Sequence, residues 1–187
     1  MTSVVRWTSA DLKSLPEDEN RYEIIDGELF VSKQPHLYHQ IVCSEVDRLL
    51  GNWNDQGRPG VVAMAPGLIF AEDDDVAPDL VWISKTRLAS AFGSDGKLHA
   101  APDLVVEVLS PGASNERRDR EAKLTLYSRR GVEEYWIVDW RTRSVDVYRR
   151  QREQLHFIQT LSESDTLETP LLPGFSASVA SVFIAIQ

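Results

Sequence analysis

With a single cysteine among 187 residues, the chain cannot form an internal disulfide, which excludes disulfide scaffolds and cysteine-based zinc ribbons. That residue, Cys43, lies in an apolar run and reads as a small buried hydrophobe suited to a reducing compartment. No stretch approaches the roughly eighteen uninterrupted apolar residues of a membrane span. Residues 1–7 have neither the basic head nor the apolar run of a secretory leader, so the expected location is the cytoplasm, off the membrane. No Gly-x-Ser-x-Gly, P-loop or Rossmann fingerprint occurs, which removes the commonest hydrolase, NTPase and dinucleotide-binding readings. Repeats and low-complexity tracts are missing too. Positive charge is scarce: 20 Lys+Arg face 29 Asp+Glu, a net charge of −9, which argues against a whole surface built for polyanions. What remains, with 42% hydrophobic and 26% charged residues, is one globular domain spanning 1–187.

The order of elements predicts an α/β (α+β) fold, a mixed sheet with helices on its faces. Thr8 to Leu12 opens a short helix that Pro16 closes. Arg21–Ile25 and Glu28–Ser32 flank Asp26-Gly27, a dipeptide suited to the positive φ angles of a two-residue hairpin. A helix over about His36 to Trp53 follows from the helical spacing of Leu37, Ile41, Val42, Val46, Leu49 and Leu50. Short apolar runs at 61–63, 67–70 and 79–83 read as strands, and Asp103–Leu109 as a central strand apolar on both faces. A helix over about Glu116 to Arg130 ends at Gly131, and strands at 134–139 and 144–148 precede a tail of short strands and turns.

Glu107 is the anomaly of the central strand, because an ionised carboxylate in apolar surroundings costs several kcal/mol unless paired, protonated or bound to a metal. Asp103 shares its face but lies about 13 Å away at ~3.3 Å per residue. Asp79 starts a different strand; if that strand neighbours Glu107, the two carboxylates can converge on one hard cation. On the following helix Asp119, Lys123 and Tyr127 form an i, i+4, i+8 stripe, so Lys123 can reach back over the sheet to orient an attacking water or stabilise phosphorane charge.

These residues carry a resemblance. Tyr22-Glu23-Ile24-Ile25-Asp26-Gly27-Glu28, His39, Pro78-Asp79-Leu80, the run Pro102 to Pro111, Asp119 with Lys123 and Tyr127, and Gly131 to Asp139 resemble the Uma2 family (DUF820) of the PD-(D/E)XK nuclease superfamily over roughly residues 8 to 150. The resemblance implies a restriction-endonuclease-like core, a four-stranded mixed sheet flanked by helices, with a Mg²⁺ or Mn²⁺ site at the sheet's open edge and a homodimer. It assigns Asp79, Glu107 and Glu23 to the metal and Lys123 to catalysis, with His39, Asp119 and Tyr127 supporting them. Glu107-Val108-Leu109 lacks the superfamily's lysine in third place, a role that Lys123 fills from the helix.

Blander readings stand beside these. Glu107 can be paired with Lys123 without a metal, Asp79 can be a turn residue, Glu23 a solvated cross-strand charge beside Arg21, and Lys123 a surface lysine. Glu72-Asp73-Asp74-Asp75 lacks the spacing of a calcium loop and reads as a solvated turn, while His36 and His39 lack further zinc ligands. Residues 111–152 hold eleven Lys/Arg against seven Asp/Glu, and Arg117, Arg118 and Arg120 flank Lys123 as candidate phosphate contacts. The expectation is a divalent-metal-dependent endonuclease acting on nucleic acid, with DNA preferred. The alternative is a non-catalytic nucleic-acid-binding or protein-interaction module that retains the fold.

Overall fold

The computed structural model describes residues 5–183; the first four residues of the segment examined for a leader lie outside them. The hairpin forms as its turn chemistry predicts. Strands β1 (Arg21–Ile25) and β2 (Glu28–Ser32) pair antiparallel across Asp26 and Gly27, whose φ angles are 53° and 74°. Helix α1 (Ser9–Leu12) precedes it, with Asp11 accepting from the Thr8 N–H and hydroxyl, both at 2.8 Å.

Helix α2 (Leu37–Asn54) leads to β3 (Gly60–Met64), β4 (Leu68–Ala71), β5 (Asp74–Val76) and β6 (Leu80–Ser84). A short helix α3 (Lys85–Ala91), absent from the sequence reading, follows; the Ser84 hydroxyl accepts from the Arg87 N–H at 3.4 Å to cap it. Strand β7 (Leu104–Val108) is buried at every position. The helical crossover from β7 to β8 (Glu134–Asp139) consists of α4 (Ala113–Arg117), a π-helical segment Arg118–Lys123 and α5 (Leu124–Arg130), and ends at Gly131 with φ 93°. Beyond β9 (Ser144–Gln151) the tail is more regular than predicted: β10 (Gln154–Ser162) runs nine residues, and β11 (Thr166–Glu168) pairs with β12 (Ser176–Ser178).

The large sheet has the order β10-β9-β8-β7-β6-β3, antiparallel except for the β7–β8 pair, and the smaller sheet has the order β2-β1-β5-β4. The expected mixed sheet is therefore present, with six strands rather than four. A parallel pair requires a crossover, and that requirement places the helical stretch 113–130 over one face. Side-chain alternation divides β7 between two cores. Leu104, Val106 and Val108 pack with Val42, Val46 and Leu50 of α2, whereas Val105 packs with Leu126 and Tyr127 of α5.

Of the acidic run 72–75, Glu72 and Asp73 form the turn expected, but Asp74 and Asp75 are buried in β5. Asp74 is fully buried in β5 and accepts from the Asp26 N–H at 2.8 Å, from Arg129 at 2.7 and 2.8 Å and from Arg130 at 2.5 and 3.1 Å. Pairing of β5 with β1 and β4 removes its water, and two arginines from α5 replace it, tying the small sheet to the crossover helix. Asp74→Ala should cost about 2–3 kcal/mol in chemical denaturation, below the ~3–5 of a fully buried pair because both arginines are about a third exposed. An unchanged unfolding midpoint would refute this role.

Candidate active site

The register of β6 against β7 pairs Leu80 with Val106, so Asp79 and Glu107 are the next residues along two adjacent strands. The crossover helix lies over the same end, and β1 of the small sheet closes it from the side. Glu107 is 1% exposed, and its Oε1 accepts from Lys123 Nζ at 2.9 Å and from the Tyr127 hydroxyl at 2.8 Å. Lys123 Nζ also lies 2.9 Å from Glu23 Oε1 and 3.9 Å from Asp119 Oδ1. Glu23 Oε1 accepts from the Ala77 N–H at 3.0 Å, and Arg118 Nη1 stands 3.8 Å from Oε2. Arg118 forks onto Asp119 at 2.8 and 3.2 Å. Asp79 Oδ2 accepts from the Val108 N–H at 2.9 Å and lies 3.1 Å from His39 Nε2, and Oδ1 accepts from Arg21 Nη1 at 3.3 Å. Cys43 Sγ is 3.6 Å from His39 Nδ1, so a histidine protonated at Nε2 accepts a hydrogen bond from the thiol on one side and donates one to Asp79 on the other.

The π-helical segment is what brings the helix-borne groups together. Its wider turn leaves Arg118, Asp119 and Lys123 all buried toward the sheet. Burial then sets four carboxylates against three cations: Glu23, Asp79, Glu107 and Asp119 facing Arg21, Arg118 and Lys123. The acids divide accordingly. Burial raises the Glu107 carboxyl, and the charges of Asp79, Asp119 and Glu23 add to this against Lys123, leaving it at about 8. Burial also opposes ionisation of Asp79, but the His39 hydrogen bond and the charges of Lys123 and Arg21 hold it well below the ordinary carboxylate range. Glu23 is lowered because Lys123, Arg21 and Arg118 together outweigh its burial. Lys123 is raised although burial opposes its charge, because Glu107, Glu23 and Asp119 surround it.

Four carboxylates against three cations leave the site with one acid more than its cations can match. Once ionised, such oxygen donors are of the type that a hard divalent ion such as Mg²⁺ or Mn²⁺ takes, while His39, Cys43 and Asp79 bring three possible ligand atoms within 4.8 Å of one another. Asp79, Glu107 and Glu23 are the residues that would hold the hard ion.

Every predicted metal and catalytic residue, Asp79, Glu107, Glu23 and Lys123, lies in this cluster with His39, Asp119 and Tyr127. Asp103, set aside on distance, instead accepts from the Ser84 N–H at 2.7 Å and pairs with Arg87 at 3.1 Å. The arginines fall differently from the expected phosphate strip. Arg118 is turned inward onto Asp119, Arg120 is paired with Asp146 at 2.6 Å, and of these three Arg117 alone stands exposed, at 79%, beside Glu121. The basic excess of 111–152 is spent largely on internal ion pairs, with Asp74, Asp139 and Glu134 among the acids. Sequence reasoning missed Arg21 and Cys43. The signal for Arg21 was available, since strand alternation puts residues 21 and 23 on one face.

The chain is thus a mixed α/β protein that gathers carboxylates and a lysine at one end of its sheet. The chain is similar to the solved structure of a "putative nuclease belonging to DUF820" from Anabaena variabilis, with 20% identity and a TM-score of 0.74 over 95% of this chain and 97% of that one. It also aligns with the type IIG restriction endonuclease BpuSI at 15% identity and a TM-score of 0.39, over 79% of this chain and 15% of that one. No curated protein matches it. The family model for Uma2, described as "Putative restriction endonuclease", matches residues 9–180, and the chain belongs to that family.

Proposed function

We propose that this protein is a divalent-metal-dependent endonuclease that hydrolyses nucleic-acid phosphodiester bonds, DNA foremost. The observation that carries this reading is the buried cluster of Glu107, Asp79, Glu23 and Lys123, in which the Lys123 ammonium lies 2.9 Å from both Glu107 and Glu23. The family description favours DNA. A Mg²⁺ or Mn²⁺ ion bound there supplies Lewis-acid chemistry, polarising a phosphoryl oxygen and acidifying water. His39 and the Val108 N–H orient Asp79. Lys123, charged and held by Glu107 and Glu23, offers its ammonium to the negative charge that develops on phosphorus-bound oxygens. A cleft of about 640 Å³ reaches Asp79; Arg21 and Lys33 line it beside the acids Asp18 and Glu19, and these two cations are what it offers a phosphodiester backbone.

One observation favours a second reading, a non-catalytic module: the four acids already have internal partners in Arg21, Arg118 and Lys123. Plasmid and oligonucleotide cleavage, with and without Mg²⁺ or Mn²⁺, together with Mn²⁺ calorimetry, separates the two. The nuclease should take up Mn²⁺ and cut only in its presence. Absence of both uptake and cutting would leave the module.

A further inference from the structure

Arg21 is the one site cation that is not deeply enclosed: its side chain is 35% exposed, whereas that of Lys123 is 1% exposed and that of Arg118 10%. It reaches from β1 of the small sheet to Asp79 at the start of β6 in the large one. The atom it holds is Asp79 Oδ1, the oxygen left over once Oδ2 is engaged by His39 and the Val108 N–H. Its other terminal nitrogen, Nη2, is 4.0 Å from Glu23 Oε1 and, although buried, has no hydrogen-bond partner among the described residues. Charge-assisted N–H···O bonds normally lie at about 2.7–2.9 Å, and a buried donor left unmatched carries a desolvation cost. Arg130 on Asp74, at 2.5 Å, shows what a structural arginine clamp looks like in this fold. Arg21 makes longer contacts, leaves a donor unused and borders the open cleft. Its contacts fall on two of the three carboxylates assigned to the ion.

We propose that Arg21, which contacts Asp79 Oδ1 and faces Glu23, competes with a divalent cation for these carboxylates, and that the cation must displace it in order to bind. The inference rests on the nuclease reading and names the residue that competes with the ion for its carboxylates. Without an ion, the acids would repel one another across the junction of the two sheets; the guanidinium offsets this, and in doing so competes with the incoming cation. Arg21 is thus a positioning residue, and its removal should strengthen metal binding rather than weaken it.

The test is titration calorimetry of Mn²⁺ into the full-length wild type, R21M and R21K, with thermal melts alongside. R21M should bind Mn²⁺ roughly tenfold tighter or more, because a unit charge about 4 Å from the acids is removed. R21K keeps the charge but is too short to reach both acids and cannot fork, so it too should bind tighter than wild type, though less so than R21M. Should R21M fail to fold, R21K alone decides, with tighter binding supporting displacement and unchanged binding overturning it. Wild type that takes up Mn²⁺ alongside an R21M that binds no tighter overturns displacement and leaves the nuclease reading intact. Tighter binding by R21M with R21K equal to wild type assigns the effect to net charge and also overturns displacement. If no variant takes up Mn²⁺, the nuclease reading falls and this inference falls with it, whereas uptake by the substituted proteins alone would be displacement in its strongest form.

Discussion

Glu107→Gln should give a folded protein whose cleavage rate is down roughly 10³-fold or more, the range seen when one transition-state contact is removed from a preorganised site. The substitution is close to isosteric. The amide oxygen can still accept from Tyr127 and Lys123, which hold Oε1 in the wild type, so the two cores on either side of β7 stay packed. What disappears is the negative charge, together with the proton that the wild-type side chain retains up to about pH 8. That proton has to leave before Glu107 can hold a cation. Wild-type Mn²⁺ affinity should therefore rise with pH and level off above about 8, with proton release visible as a dependence of the calorimetric heat on buffer ionisation enthalpy. Stability has the opposite slope. Between the ordinary carboxylate range and about 8 the folded state holds a proton that the unfolded chain has lost, so this group's contribution, full at low pH, is lost as pH rises through about 8. The variant lacks both effects. Wild-type cleavage by E107Q, or pH-independent Mn²⁺ affinity in the wild type, would remove Glu107 from the proposed role.

Lys123→Met should damage the fold most among these changes and should impair catalysis as well. Lys123 is 1% exposed and lies 2.9 Å from two carboxylates and 3.9 Å from a third. Methionine fills most of the volume but leaves Glu107, Glu23 and Asp119 sharing Arg118 and Arg21, and breaking a buried pair from one side typically costs about 3–5 kcal/mol. The loss should depend on pH. Glu107 and Asp119 are both raised by burial and so can accept protons once the ammonium is gone, which relieves the variant in acid. Denaturation of K123M and wild type at pH 6 and 8.5 should show a gap that widens at the higher pH. At pH 6, where the variant is best folded, cleavage should still be down on the order of 10²-fold or more. A gap of the same size at both pH values would mean that the lysine is not the neutralising partner of these acids, and retained cleavage would mean that it is not the catalytic cation.

Most of the elements were legible because each depends on local rules. Asp26-Gly27 specifies its turn through backbone sterics, Gly131 ends a helix for the same reason, and the apolar run of Leu104, Val105, Val106, Val108 and Leu109 marks β7. The π-helical segment was not legible, because its i→i+5 bonds confer nothing locally and persist only while Arg118, Asp119 and Lys123 are all held against the sheet. Asp74 was misread for a related reason. An acidic run is solvated unless something distant covers it, and Arg129 and Arg130 lie more than fifty positions along the chain.

The site divides along the same line. Sequence alone determined which side chains had chemistry to offer: a carboxylate on a strand too apolar to keep it ionised, a second at the mouth of another strand, and a lysine on the helix that follows. Strand pairing, the crossover and the docking of the small sheet decided the rest. They placed Asp79 beside Glu107, carried Glu23 and Arg21 in from the small sheet, and turned Arg118 inward instead of toward a phosphate. The physical reason is that charge in a protein is governed by distance and burial, and both are set between segments far apart in the chain.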